Sequence, residues 1–148
     1  MKKLIISACL LGESCRYDGK SKPCEGIKDL KKGFELIPVC PECMGGLPTP
    51  RPPAELQENG RVVNREGADV TECYRKGAET VLEIARREGC DVALLKEKSP
   101  SCGKARIYDG SFAGRLTEGN GVCAALLLQN GIRVFGESEL EALMREKW

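Results

Sequence analysis

The sequence predicts an α/β fold in which a short parallel sheet carries helices on both of its faces. Short apolar runs, typical of strands buried on both sides, alternate with segments whose apolar residues recur at helical spacing. Their order is strand, strand, helix, strand, helix, strand, helix, and parallel strands joined through helices need right-handed crossovers. The 148 residues, of which 41% are hydrophobic, suffice for a single three-layer domain spanning residues 1–148.

Two strands are predicted in the first third of the chain. Residues 4–11 form a continuous apolar run with β-branched members, and residues 34–40 form a second strand. Pro38 lacks the amide hydrogen of a sheet ladder, so we expect it near the end of its strand or on an edge. Residues 12–19 must be loop, and the Lys-rich segment after them holds at most a short helix at 27–31.

The middle of the chain begins with a proline-rich segment. Residues 41–53 contain five prolines and two glycines, which predicts an ordered loop and excludes a helix. Residues 58–61, Glu-Asn-Gly-Arg, are typical of a tight turn, and Val62 and Val63 after it indicate a small hairpin.

A long helix is predicted next. Thr71 is its expected N-cap, Arg87 its last residue, and Gly89 ends the element. Its apolar positions at helical spacing are Tyr74, Ala78, Val81, Leu82 and Ala85.

The last third alternates strands and helices. Residues 92–95 and 132–135 are predicted strands, and residues 121–129 are a predicted helix between them. Ser138, with Glu141 three residues later, predicts a capping box for a final helix at 139–147. Together these elements indicate a Rossmann-like arrangement of three layers.

The composition excludes several kinds of catalysis and partner. There is no histidine, which excludes Ser-His-Asp and Cys-His catalysis and any histidine-ligated metal. The chain has 23 basic and 22 acidic residues, so it lacks the basic excess that nucleic-acid and membrane surfaces require. We therefore expect no membrane partner, and a nucleic-acid partner is disfavoured.

Nine cysteines dominate the chemistry of the chain. An odd number in a chain of this length argues against a disulfide framework, so we expect mostly reduced thiols. The opening residues, MKKLIISAC, look like a lipoprotein signal, but an export signal needs roughly 15 to 30 residues. We therefore expect a cytoplasmic protein that begins directly on a buried strand.

Three of the cysteines should meet at one edge of the sheet. Cys9, Cys40 and Cys102 follow three different strands, and ligands of open α/β sheets bind beyond the carboxyl ends of the strands. Loops rich in glycine and proline carry function more often than packing. The neighbouring polar groups and thiols are Cys15, Glu42, Cys43, Ser99 and Ser101.

The remaining cysteines have plainer interpretations. Cys73, Cys90 and Cys123 lie in or beside helices, where a thiol packs as a small hydrophobic group. Cys24 lies in a Lys-rich loop and receives no functional assignment.

Convergent thiols fit three kinds of site. A disulfide-exchange site is suggested by Cys40-Pro41-Glu42-Cys43, but such a site needs an acidified thiol at a helix start, and no helix is expected at 44–53. A zinc site with four thiolates generally uses paired C-x-x-C knuckles, and the sequence offers one. An iron-sulfur cluster takes widely spaced cysteines, and a three-cysteine site leaves one iron open.

Several segments resemble one family, the thiouracil desulfidases, long catalogued as a domain of unknown function. They are Cys9-Leu10-Leu11-Gly12, Cys15-Arg16-Tyr17-Asp18-Gly19, Pro38-Val39-Cys40-Pro41-Glu42, residues 46–55 (GLPTPRPPAE), residues 67–71, Lys98-Ser99-Pro100-Ser101-Cys102-Gly103 and Tyr108-Asp109-Gly110. They span nearly the whole chain, and the proline-rich and Ser-Pro-Ser-Cys blocks are specific in combination.

The resemblance implies a 4Fe-4S cluster held by Cys9, Cys40 and Cys102, with Cys15 as the alternative ligand. It implies that the free iron takes up the sulfur of a thiolated pyrimidine, a small-molecule partner. Glu42 and Ser101 match candidate catalytic positions, and Ser99 a candidate substrate-binding position. Glu42 is suited to activate water and later donate a proton, in a hydrolysis that transfers no electrons.

Other interpretations remain open from the sequence. The runner-up is a non-enzymatic module whose cysteines hold zinc or a cluster for a structural or redox-sensing role, and the third is disulfide exchange. Arg51 is suited either to meet an anionic ligand or to cap a carbonyl. Residues 119–121, Gly-Asn-Gly, indicate a helix-start turn in preference to a phosphate cradle. The oligomeric state is not visible in the sequence.

Overall fold

The computed structural model describes residues 1–20 and 26–148. Its strands are β1 (Lys2–Ser7), β2 (Phe34–Val39), β3 (Ala54–Leu56), β4 (Val62–Asn64), β5 (Val92–Leu95), β6 (Arg106–Tyr108), β7 (Leu116–Glu118) and β8 (Arg133–Gly136). Its α-helices are α1 (Ile27–Gly33), α2 (Pro41–Met44), α3 (Thr71–Arg87), α4 (Val122–Gln129) and α5 (Leu140–Arg145). Two 3-10 turns lie at Ala8–Leu11 and Glu137–Glu139.

Four parallel strands form the central sheet in the order β2-β1-β5-β8. In its register Ile5 of β1 lies beside Ile37 of β2 on one side and Ala93 of β5 on the other. Pro38 lies on β2, an edge strand of this sheet, as its missing amide hydrogen requires. Two antiparallel hairpins, β3-β4 and β6-β7, lie outside the sheet.

Both faces of the sheet are covered. Because side chains alternate along a strand, Ile5 packs toward α3 and α4 while Leu4 and Ile6 pack toward α1 and α5. The strand residues of β5 are fully buried, which matches its continuous apolar sequence. The predicted three-layer α/β fold with a short parallel sheet is confirmed.

The first strand is shorter than predicted. It ends at Ser7, and the rest of the apolar run forms the 3-10 turn, which closes at Gly12 with a φ of 96°. Only glycine adopts such a conformation readily, so the chain turns away from the sheet here. Cys9 therefore lies on a tight turn just beyond the strand end.

The expectation that residues 41–53 contain no helix is wrong. Pro41 begins the one-turn helix α2, with Cys40 as its N-cap. Proline suits the first position of a helix because its fixed φ is helical and its missing amide hydrogen would have no partner there. The other prolines of the segment follow Gly46 and leave this turn intact.

Two predicted helix caps are also wrong. Thr71 is the first residue of α3 rather than its N-cap, which is Val70. The final helix is preceded by a 3-10 turn, in which the Glu139 carboxylate accepts a hydrogen bond from the Gly136 amide at 3.0 Å. Ser138 instead donates its hydroxyl hydrogen to Glu97 at 2.6 Å.

The hairpin β6-β7 has no counterpart in the sequence-based prediction.

None of the helices in the described part of the chain combines the length and apolar character needed to span a bilayer.

Candidate functional site

A cavity of about 620 Å³ opens beyond the carboxyl ends of β1, β2 and β5. Four cysteines lie on its wall: Cys9, Cys15, Cys40 and Cys102. The three thiols predicted to converge therefore share one cavity, together with the alternative ligand. This is where an open parallel sheet is expected to hold its ligand.

Each of the three thiols is held by a short, well-defined piece of backbone. Cys9 lies on the 3-10 turn after β1 and is 7% exposed. Cys40 caps α2 directly after β2. Cys102 is 4% exposed, and its amide donates to the Ser99 hydroxyl oxygen at 3.0 Å.

The loop after the first turn is held by the carbonyl oxygen of Cys15. This oxygen accepts hydrogen bonds from Arg51 Nη2 at 3.1 Å, from Cys40 Sγ at 3.8 Å and from Cys43 Sγ at 4.0 Å. The backbone of Cys15 thus connects the loop to α2 and to the proline-rich segment. Cys15 itself lies on the cavity wall and is not part of a disulfide.

Burial opposes ionisation of these thiols. It raises the pKa of Cys9 to about 12, with a further contribution from Cys15. The pKa values of Cys40 and Cys102 are also raised, mainly by burial and further by the Glu42 carboxylate. A disulfide-exchange thiol needs a lowered pKa, so this environment argues against that role. A helix does begin after Cys40, so it is the burial of the thiols, and not the absence of a helix, that disfavours disulfide exchange.

The zinc alternative gains no support from the side-chain positions. Among residues 1–20 and 26–148, no three cysteine, aspartate or glutamate side chains lie close enough together to bind one metal ion. Zinc holds its sulfur ligands at about 2.3 Å and so requires such a tight group. A four-iron cluster spreads its cysteines over separate irons and tolerates wider spacing.

Glu42 and Arg51 form an ion pair beside the thiols. Arg51 Nη2 lies 3.4 Å from Glu42 Oε2, and the side chains are 4% and 15% exposed. Burial raises the pKa of Glu42 although the Arg51 charge opposes the shift. Arg51 Nη1 also donates to the carbonyl oxygen of Pro48 at 3.2 Å. Arg51 therefore caps carbonyl oxygens, which is one of the two roles left open for it.

The two candidate serines occupy different surroundings. Ser99 lies on the cavity wall, and its hydroxyl oxygen accepts hydrogen bonds from the amides of Ser101 and Cys102. Ser101 is fully buried and is not part of the cavity lining. Its Oγ and the Nε of Arg51 are buried without a hydrogen-bond partner among the described residues. Such atoms are rare in proteins, and the one on Arg51, a residue of the cavity lining, fits a site that binds a further group.

Tyr74 is a site residue that the sequence-based interpretation missed. Helical spacing predicts only an apolar position there, yet Tyr74 lies on the cavity wall at 3% exposure. Burial raises its pKa, so the phenol stays protonated near neutral pH. The only signal in the sequence is a tyrosine three residues before a glycine on the same helix.

The other candidates lie away from the cavity lining. Cys123 is fully buried in the apolar core, and the Cys90 thiol donates to backbone oxygens of Lys3 and Val92. Cys24 lies outside the described residues. In the turn at 119–121, Gly121 caps α4 and packs so closely on the Ser101 backbone that a Cβ would clash.

Comparison with known proteins shows the relationships of the chain. The family model for 2-thiouracil desulfurase matches residues 4–139. The chain is 41% identical over 150 residues to the uncharacterized protein YbbK of Bacillus subtilis (strain 168), covering 95% of this chain and 99% of that protein. A solved structure, the [4Fe-4S]-dependent thiouracil desulfidase TudS, superposes with a TM-score of 0.91 at 48% identity, covering 97% of this chain and 96% of that one. The chain therefore belongs to the 2-thiouracil desulfurase family.

Proposed function

We propose that this chain is an iron-sulfur-dependent desulfidase that converts the thiocarbonyl of a small thiolated pyrimidine into a carbonyl and releases sulfide. One observation carries the proposal: thiols from three strand ends line one cavity together with a buried carboxylate and a buried guanidinium. Family membership and the likeness to TudS support it.

The donor set fits a 4Fe-4S cluster. We assign Cys9, Cys40 and Cys102 as its ligands, since thiolates are the usual protein ligands of such clusters. The unpartnered Arg51 Nε and Ser101 Oγ beside them also fit a site that holds a further group. When bound, the cluster supplies an iron without a protein ligand, a Lewis acid suited to the soft sulfur of a thiocarbonyl.

Glu42 is proposed as the group that moves protons. Its carboxylate lies on the cavity wall, where it is suited to take a proton from the attacking water and return one to the leaving sulfide. Arg51 fixes the orientation of that carboxylate through the contact at 3.4 Å. The overall change is a thioamide plus water giving an amide plus hydrogen sulfide, and no electron is transferred.

The two serines are assigned supporting roles. Ser99 lies on the cavity wall and is proposed to contact the substrate. Its hydroxyl oxygen also accepts a hydrogen bond from the amide of Cys102 and so fixes the backbone at that ligand. Ser101 is proposed to relay a proton because it matches a candidate catalytic position of the family, and its hydroxyl, which makes no hydrogen bond with the described residues, is available to a group bound at the site. We propose that residues 1–148 form one desulfidase domain.

The proposed cellular location is the cytoplasm. The eight cysteines in the described residues are all free thiols, and loading a cluster needs reduced cysteines. The near-balance of 23 basic and 22 acidic residues favours a small molecule over RNA as substrate.

Anaerobic reconstitution with iron and sulfide tests the function. We expect a brown protein with about four irons per chain that releases sulfide from 2-thiouracil and yields uracil. The matched control is the same protein loaded with zinc, which should release none. A colourless protein that binds zinc stoichiometrically and never desulfurates thiouracil would support the non-enzymatic module instead.

A further inference from the structure

Tyr74 is a buried tyrosine on the wall of the candidate site. Its side chain is 3% exposed and lines the cavity of about 620 Å³. The phenolic oxygen makes no hydrogen bond with any of the described residues, whereas the neighbouring Glu42 carboxylate is paired with Arg51. Tyr74 is therefore a polar side chain, almost removed from bulk water, on the wall of the space where a ligand would lie.

Close packing of two helices fixes this position. A Cβ at Gly77 of α3 would overlap the Pro41 carbonyl oxygen of α2, so the helices touch through backbone. A Cβ at Gly45, just beyond α2, would likewise overlap the Cys73 carbonyl oxygen. Tyr74 lies three residues before Gly77 and so on the same face of α3. The contact therefore places the phenol beside the helix that carries Glu42.

A purely structural role does not explain the hydroxyl group. Phenylalanine would fill the same space without placing a polar atom at the cavity wall, and the Tyr74 hydroxyl makes no hydrogen bond with the described residues that would stabilise the fold. Tyrosine at this position is understandable if its hydroxyl group is paired when the cavity is filled. A heterocycle with carbonyl and ring-nitrogen groups offers such a partner.

We propose that Tyr74 is a substrate-binding residue whose phenolic O–H donates a hydrogen bond to the polar edge of a thiolated pyrimidine. The proposal rests on the desulfidase function above and assigns part of its substrate recognition to α3. The same contact forms with uracil, the product, because both rings share the remaining carbonyl and nitrogen atoms.

The test compares cluster-loaded wild type with Tyr74→Phe. We expect the variant to raise KM for 2-thiouracil about threefold to tenfold with kcat nearly unchanged, since one hydrogen bond common to bound substrate and transition state is lost. Calorimetric titration with uracil should show the same loss of affinity without turnover. The Tm of the variant should stay close to that of wild type, because the hydroxyl makes no hydrogen bond with the described residues.

Thr80→Val is the matched control. It removes a hydroxyl from the same helix, where that group donates to its own helix at Lys76, and it should leave KM and uracil affinity unchanged. If Tyr74→Phe does not fold, Tyr74→Met replaces it, with the same expected loss of uracil affinity.

The outcomes separate this proposal from the function on which it rests. An active wild type together with unchanged KM and uracil affinity in Tyr74→Phe would overturn the role of Tyr74 and leave the desulfidase function standing. A lower Tm with unchanged binding would also overturn it, because that result would show that the hydroxyl stabilises the fold and does not bind the substrate. A loaded wild type that neither binds uracil nor releases sulfide would overturn both.

Discussion

Arg51 Nη2 lies 3.4 Å from Glu42 Oε2, and both side chains are largely shielded from water. The same guanidinium donates to the carbonyl oxygens of Cys15 and Pro48. One buried cation therefore holds together the first loop, α2 and the proline-rich segment. These three pieces of the chain meet at the cavity.

Replacement of Arg51 by methionine should destabilise the fold. It would leave the Glu42 carboxylate buried without its partner and would remove a donor from the carbonyl oxygens of Cys15 and Pro48, so we expect the free energy of unfolding to fall by about 3 kcal/mol. Urea denaturation of cluster-free protein measures the change. Arg75→Met, which breaks an exposed pair with Glu72, is the control and should have little effect. Equal effects of the two variants would show that burial does not strengthen the Arg51 pair.

The ligand assignment predicts different behaviour for neighbouring cysteines. Serine at Cys9, Cys40 or Cys102 should reduce the iron content from about four per chain to near zero, because a hydroxyl is a poor ligand for the cluster. Cys15→Ser should retain the iron, since the backbone carbonyl of residue 15 makes the structural contacts. Iron assay and visible absorption after anaerobic reconstitution give the result.

Cys43→Ser is the matched control for the ligand series. Cys43 is exposed and lies outside the cavity lining, so its loss should not change the iron content. If Cys15→Ser lost the iron while one of the three assigned variants kept it, Cys15 would replace that residue in the ligand set.

The sequence predicts the fold better than it predicts the site. Apolar runs and helical spacing indicate the sheet and its covering helices because burial on both faces leaves a direct pattern in the residues. The same patterns miss α2. Five prolines at 41–53 predict a loop, but Pro41 occupies the first position of the helix, which proline tolerates, and the other four lie beyond the helix end.

Site residues are predictable where they follow strands and hidden where tertiary contacts place them. Cys9, Cys40 and Cys102 reach the cavity because the ends of parallel strands meet at one edge. Tyr74 reaches it because Gly77 lets α3 approach α2, a contact between residues distant in sequence. Periodicity alone assigns Tyr74 to the core, which describes its burial and misses its hydroxyl. Ser101 shows the opposite case, a motif residue that the fold buries away from the cavity lining.

Glu42→Gln separates proton transfer from assembly of the site. The amide oxygen can still accept from Arg51, so the variant should fold and keep its iron, but it cannot exchange a proton. We expect kcat for sulfide release to fall by about 10²–10⁴-fold. Glu79→Gln, an exposed change on α3, is the matched control. Near wild-type turnover in Glu42→Gln would assign the proton transfer to another group or to water.

Asp69 should make the stability of the fold sensitive to acid. Its carboxylate accepts from Arg61 Nε at 2.9 Å and from the amide of Thr71 at 2.9 Å, at the start of α3. These contacts hold the pKa of Asp69 well below its usual range. A carboxyl whose pKa is lower in the folded state stabilises the fold above its unfolded pKa of about 3.9, and that contribution disappears as the pH falls toward the folded value.

Asp69→Asn should therefore lower the urea midpoint near neutral pH, because it removes the charge that Arg61 meets. The difference in urea midpoint between wild type and variant should shrink as the pH is lowered from about 6 to about 2. Only the wild type has a carboxylate at this position, and it loses the stabilisation from that charge as the group takes up a proton. Asp29→Asn, at an exposed pair with Lys32, is the control and should show little difference at any pH. A gap at Asp69 that stays constant over this range would mean that the hydrogen bonds of the side chain matter and its charge does not.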